Sequence, residues 1–185
     1  MAPSWGSGLA AAGDVLPHLP VLSSARVAGG GYDFSPVLAG LDPWVQGADL
    51  ALCHLEVPVA PPGTVPSGYL MFATPAEIAA ALRTQGCDGC STASNLSVDR
   101  GFAGVTATLD ALDAAGLGHV GTARSAIEQS QPQLYTLERA GQKVTVSTAD
   151  IAARVVTAAG SAAPERTTPS TPTGTAPVVV PRTTG

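Results

Sequence analysis

Aromatic residues make up only 4% of this 185-residue chain, and residues 151 to 185 contain neither an aromatic residue nor a leucine. A core therefore cannot rest on large rings and has to come from small side chains that let backbones approach, as in layered α/β structures. Basic residues are scarce too: nine stand against fourteen acidic ones, for a formal charge of −5. No segment clusters them with aromatics, which excludes a nucleic-acid surface of the usual kind. The overall field would repel a small anionic substrate, so a bound cation or local backbone N–H groups would have to hold it. No run approaches the roughly 20 apolar residues of a membrane-spanning helix. Residues 1 to 13 lack the basic and apolar regions of a secretory leader, so the expectation is a cytoplasmic chain without a transmembrane segment. Cysteine is limited to Cys53, Cys87 and Cys90, too few for a disulfide scaffold, and reduced thiols are the default expectation. Cys87 and Cys90 have CxxC spacing with no second pair to complete a zinc site; buried structural thiols and redox or metal use remain as two readings.

What is present suffices for a core, since 45% of the residues are hydrophobic. Three short apolar runs, residues 8–13, 49–56 and 88–95, read as buried strands and end at Asp14, Glu56 and Asn95. Between them lie helical signals. Ser35-Pro36 opens one. In another, Thr74 serves as N-cap, Pro75 as first helical residue, Glu77 as capping-box partner and Gly86 as stop, which predicts a helix over 75–85. A helix over 101–115 would bury Phe102, Val105, Leu109 and Leu112, with Gly116 ending it and a strand at 117–121 following. After a helical turn near 125–130, residues 133–138 and 142–147 alternate around Ala140-Gly141 as a hairpin. The order β-α-β-α-β-α-β, then a hairpin, implies a largely parallel sheet covered by helices. Beyond 150, Thr, Pro, Ala and Gly dominate, predicting a helix at 149–158 and disorder from about 160.

In parallel α/β sheets ligands gather beyond the carboxyl ends of strands, where Asp14, Glu56 and Asn95 all fall. Their oxygens suit a divalent cation that polarises phosphoryl groups. His18 and His54 could add imidazole ligands or proton donors. The plainer reading is that Asp and Asn cap strand ends through local hydrogen bonds. His54 shares alternation parity with Glu56, which leaves it open between a site residue and a satisfied core histidine. His119, inside the fourth strand, reads as structural.

Five ordered blocks carry a resemblance: AAGDVLPH (11–18), GYDFSPVL (31–38), ADLALCHLEVPVAPPG (48–63), STASNLSVDRG (91–101) and TLDALDAAGLGHVGTAR (108–124). Together they resemble the CapA family of poly-γ-glutamate capsule-synthesis proteins, whose fold is similar to the calcineurin-like metallophosphatases, an α/β sandwich with a two-metal centre. The resemblance implies Asp14, Glu56 and Asn95 as metal ligands (Mn, Fe, Zn or Mg) and a phosphoester substrate, while His18 and His54 are catalytic candidates from their places beside Asp14 and Glu56. It also implies an Asn-His motif in which the imidazole acts on the phosphoryl group. Here Leu96 follows Asn95, and leucine has neither lone pair nor proton to offer. The resemblance ends near Ser147, where family members continue into a second half with further His-containing motifs. The expectation is an incomplete domain over 6–150, an exposed sheet edge inviting self-association, and a mostly disordered low-complexity tail over 151–185. The tail's composition fits either a shifted reading frame in GC-rich DNA or a linker.

Overall fold

The computed structural model describes residues 8–139, 142–147 and 178–179. In chain order these form β1 (Leu9–Val15), α1 (Leu19–Ser24), α2 (Ser35–Leu38), a 3-10 turn (Ala39–Leu41), α3 (Asp42–Val45), β2 (Leu50–Leu55), α4 (Glu77–Gln85), β3 (Gly89–Ser91), α5 (Gly101–Ala114), β4 (Gly118–Val120), α6 (Ala126–Gln129), β5 (Leu134–Arg139), β6 (Gln142–Ser147) and β7 (Val178–Val179). The first four strands make a parallel sheet in the order β1-β2-β3-β4. The antiparallel β5–β6 hairpin, joined in parallel by β7, forms a second sheet. This is the α/β alternation followed by a hairpin that the sequence predicts. The hairpin turn, the helix expected at 149–158 and the disorder expected from about 160 lie outside the described residues, β7 excepted.

Three local expectations need correction. The helix after Thr74 starts at Glu77, with Ala76 as N-cap and no side-chain cap bond. Thr74 is held extended by the following proline and bridges Val59 in parallel instead. Gly86 does end the helix, in the left-handed conformation at φ 115°. The third strand stops at Ser91 rather than running to Asn95. There the Ser97 hydroxyl donates to the Thr92 carbonyl (2.6 Å) and accepts from the Ser94 N–H (2.7 Å), so side chains draw the backbone out of the ladder. In α5, Val105, Leu109 and Leu112 are buried as expected, but Phe102 is 64% exposed. Gly104 and Thr108 take the contact face there, and the Thr108 hydroxyl accepts from the Val59 N–H (2.8 Å) and donates to the Gly104 carbonyl (2.7 Å).

Successive strand residues face opposite sides of the sheet. Ala51, Cys53, Leu55 and Cys90 share the face where Leu22, Ile78, Ala79, Leu82 and Leu112 of the helices complete the main core. Cys53 and Cys90 are register partners on β2 and β3, with Cα atoms 4.4 Å apart, and form a disulfide. Cys87 is buried and unbridged. For Cys53 and Cys90 the expected reduced thiols are thus replaced by a bridge between strands, while Cys87 of the CxxC spacing keeps its thiol. Parallel register brings its two ends onto one face, which linear spacing does not reveal.

At the start of β3, Asp88 is 1% exposed and accepts from the Ala51 N–H (2.8 Å), with Arg83 of α4 at 3.6 Å. Its backbone donates to the Ala51 carbonyl (2.7 Å) and accepts from the Gly118 N–H (3.0 Å). On the opposite sheet face, buried Tyr135 of the hairpin lies over Gly89 and Gly118. Burial, and then the negative charge of Asp88, push its phenol well above the ordinary range.

A Cβ on Gly89 would collide with the Tyr135 hydroxyl and lie 2.7 Å from the Gly118 carbonyl, whereas one on Gly40 would meet nothing within 4 Å. Gly89→Ala should therefore lower unfolding free energy by about 1–3 kcal/mol through overpacking. Gly40→Ala should not, and urea denaturation of the two variants checks the difference. Alkylation of the unreduced, denatured chain should label one thiol, that of Cys87. Labelling of all three would contradict the bridge.

Candidate functional site

The strand-end residues meet because the sheet is parallel. Asp14, His54 and Ser91 are successive register partners across β1, β2 and β3. β1 shifts register between Ala11 and Asp14, so that Asp14 is aligned with His54 at the carboxyl end. The side chains follow this row: His54 Nδ1 lies 2.7 Å from Ser91 Oγ, and His54 Nε2 lies 4.0 Å from Asp14 Oδ1. Asp14 is largely open to solvent at 65% exposure, while His54 is held at 24%.

Glu56 follows β2 directly. Its N–H donates to the Val15 carbonyl (3.3 Å), and its carbonyl accepts from the Ser94 hydroxyl (2.6 Å). That second bond moors the turn carrying Asn95 and Leu96 to the end of β2. The Leu96 N–H also donates to Ser94 Oγ (3.0 Å). Asn95 is exposed and Leu96 half-buried. Glu56 Oε2 is buried without a hydrogen-bond partner, an expensive condition for a carboxylate oxygen unless something supplies positive charge.

His18 stands apart from this row. Its ring packs edge-on against Phe72, with centroids 5.0 Å apart, while its carbonyl starts α1 by accepting from the Leu22 N–H (3.0 Å). Among the described residues no three His, Cys, Asp or Glu side chains converge closely enough to hold a metal ion. The nearest acidic and imidazole groups at this end of the sheet are Asp14 and His54, 4.0 Å apart, with the unpartnered oxygen of Glu56 two residues beyond His54.

Sequence reasoning missed Ser91, whose role depends on register, and also Asp99 and Arg100. Asp99 Oδ2 accepts from the Phe72 N–H (2.8 Å), and Arg100 donates to the Ser67 hydroxyl and the Met71 carbonyl. These bonds hold a loop whose tip exposes Tyr69, Leu70 and Met71 beside α1. The Asp-Arg-Gly run after Asn95 was the available signal, but it does not reveal its distant partners.

A second polar cluster lies at the β4 edge, beside a cavity of about 440 Å³ lined by His119, Arg124, Glu128 and Gln133 among others. Arg124 pairs with Asp110 (2.5 Å), Asp113 (2.7 Å) and Glu128 (2.6 Å), and His119 lies 3.1 Å from Asp113. With its guanidinium committed to three carboxylates, Arg124 acts as a clasp between α5 and α6.

A four-stranded parallel sheet alternating with helices, followed by an antiparallel hairpin, makes this an α/β protein and is consistent with part of a metallophosphatase-like fold. A family model described as bacterial capsule synthesis protein PGA_cap matches residues 8–179. The chain belongs to this family, as its resemblance to CapA implies. The match runs past Ser147, where the sequence resemblance was expected to end. Comparison with curated proteins finds no match.

The Arg124 hydrogen bonds hold the Glu128 carboxyl below its ordinary value of 4.5. A carboxylate with a lowered folded pKa stabilises above its unfolded pKa, and that contribution disappears as pH falls through the folded value. The Glu128 carboxyl should therefore titrate below pH 4.5 by NMR, with α6 losing amide protection over the same interval. A midpoint at or above 4.5 would contradict the clasp.

Proposed function

We propose that this capsule-synthesis protein acts on the poly-γ-glutamate system through weak, metal-dependent hydrolysis of a small phosphoester at the carboxyl end of its parallel sheet. The observation that carries this reading is the buried, unpartnered Glu56 Oε2, close in sequence to His54 and moored through its backbone to the Asn95 turn. Asp14, Glu56 and Asn95 would hold a divalent cation, and the chemistry such a cation supplies is polarisation of a phosphoryl oxygen. Within the chain, Asp14 and the row behind it orient the substrate-facing edge. His54 is the imidazole available for proton transfer, while His18, turned onto Phe72, supports the neighbouring loop. Leu96 can donate no proton to a leaving group, which is the basis for proposing low turnover.

A second reading, a binding subunit that retains the fold without catalysis, is favoured by Leu96 and by the lack of a converged three-residue cluster among the described residues. The Cys53–Cys90 bridge favours folding in an oxidising compartment over the cytoplasm.

Titration calorimetry with Mn²⁺ and a chromogenic phosphodiester assay separate these readings. The hydrolase reading expects saturable Mn²⁺ binding that Asp14→Ala abolishes, and turnover that Leu96→His raises by about 10²–10⁴-fold. Absence of both binding and turnover, in the parent chain and in Leu96→His, would leave the binding-subunit reading.

A further inference from the structure

We infer that the tip of the loop between β2 and α4, residues 68–71, is a membrane-docking element that inserts Tyr69, Leu70 and Met71 into a phospholipid surface while Arg100 meets a headgroup phosphate. The inference goes beyond the hydrolase reading and does not depend on a cation at the strand ends.

The sequence sets this loop apart. Residues 57–76 contain no Asp, Glu, Lys, Arg or His, in a chain that is 12% charged. Their apolar side chains divide into two groups. Val57, Val59, Phe72 and Ala73 are buried in the protein, whereas Val65, Tyr69, Leu70 and Met71 are exposed, Tyr69 at 78% and Leu70 at 70%. Exposed Leu19 of α1 lies against Gly68 and adds to the second group. Single exposed apolar residues are ordinary, but a contiguous group marks a contact surface.

The tip is exposed and yet held. Ser67 and Ala73 exchange both backbone hydrogen bonds (2.9 and 3.0 Å), which pinches the loop closed below residues 68–71. The Ser67 hydroxyl donates to the Met71 carbonyl (2.5 Å), and Asp99 accepts from the Phe72 N–H (2.8 Å). A loop braced in this way keeps its apolar side chains turned to their surroundings.

Charge decides which surroundings fit. Arg100 Nη2 donates to the Ser67 hydroxyl and the Met71 carbonyl at the base of the tip. Among the described residues no carboxylate pairs with Arg100, although Arg83 and Arg124 are both paired, and its Nε is buried without a partner. Exposed Val98 and Phe102 flank it in sequence. An uncharged apolar tip with an uncompensated guanidinium at its base matches the layering of a phospholipid surface, phosphates above acyl chains. Tyrosine suits the boundary, since its ring is apolar and its hydroxyl polar. A protein partner would ordinarily meet a polar rim, and residues 57–76 offer only hydroxyls beside the apolar group. The formal charge of −5 repels anionic lipid, so a zwitterionic phospholipid is the surface expected.

Flotation with phosphatidylcholine vesicles tests this on the parent chain and on Leu70→Ser, Met71→Ser and Trp44→Ser. Trp44 is equally exposed but stands in α3, before the amino end of β2. The parent should float with the vesicles, each tip substitution should lower its partition coefficient about 10-fold, and Trp44→Ser should leave it unchanged. Tyr69→Trp should add fluorescence that brominated acyl chains quench. Galactolipid vesicles, which carry no phosphate, should bind the parent less tightly, and adding phosphatidylglycerol to phosphatidylcholine should not tighten binding. The inference is overturned if the parent does not float, or if Trp44→Ser loses as much as Leu70→Ser. A dimer in sedimentation that Leu70→Ser dissolves, without vesicle binding, would overturn it in favour of a second copy. Equal binding to galactolipid would overturn the part given to Arg100. The substituted side chains are all exposed, so the variants keep the fold, and circular dichroism checks it.

Discussion

The buried carboxylate of Asp88 is the constraint on which the rest of the sheet depends. It sits where α4 hands the chain to β3, accepts from the backbone of β2 and faces Arg83 of the preceding helix, while its own backbone bonds to both β2 and Gly118 at the start of β4. Burying a carboxylate costs several kcal/mol unless bonds repay it, so the residue is tolerable in one arrangement only. That arrangement sets the mutual register of three strands. With the register set, Cys53 meets Cys90 on one face, and His54 meets Ser91 on the other. The candidate chemistry at the carboxyl end of the sheet is therefore fixed from its amino end, about a strand's length away.

Much of the architecture was legible in the sequence because it rests on local signals. Short apolar runs bounded by turn residues marked β1, β2 and the start of β3, Gly86 marked the end of α4, the stop at Gly116 placed β4 after α5, and alternation around Ala140-Gly141 marked the hairpin strands. Legibility failed where distant partners decide. Asn95 looked like the end of a strand, yet Ser94 and Ser97 form a hydroxyl-bonded turn that ends β3 four residues earlier. Thr74 looked like a helix cap, yet it pairs with Val59. Phe102 has the right spacing for the buried face of α5, but it lies in the helix's first turn, where Gly104 and Thr108 make the contact.

The candidate site divides the same way. Asp14, Glu56 and Asn95 could be picked out because each follows an apolar run, and the structure gathers their backbones at one end of the sheet. The two histidines could not be ranked from the chain alone. Folding separates them: His54 joins the row with Asp14, and His18 is spent on Phe72. Ser91 carried no signal, since a serine at the end of a strand is ordinary until the register places an imidazole beside it. Family membership accounts for the layered framework, while Leu96 makes the chemistry of this chain a matter for its own side chains.

The fit of Tyr135 over Gly89 and Gly118 has an evolutionary consequence. The two sheets meet there as a peg over a shallow notch, and the notch exists only because two adjacent strands both lack a Cβ at that level. Neither side can change alone: a larger residue at 89 or 118 demands a smaller one at 135, and a smaller one at 135 leaves a void between the layers. These three positions, 46 residues apart at their extremes, should drift as a group among relatives. Their joint identity would then record how far apart a given lineage keeps its two sheets.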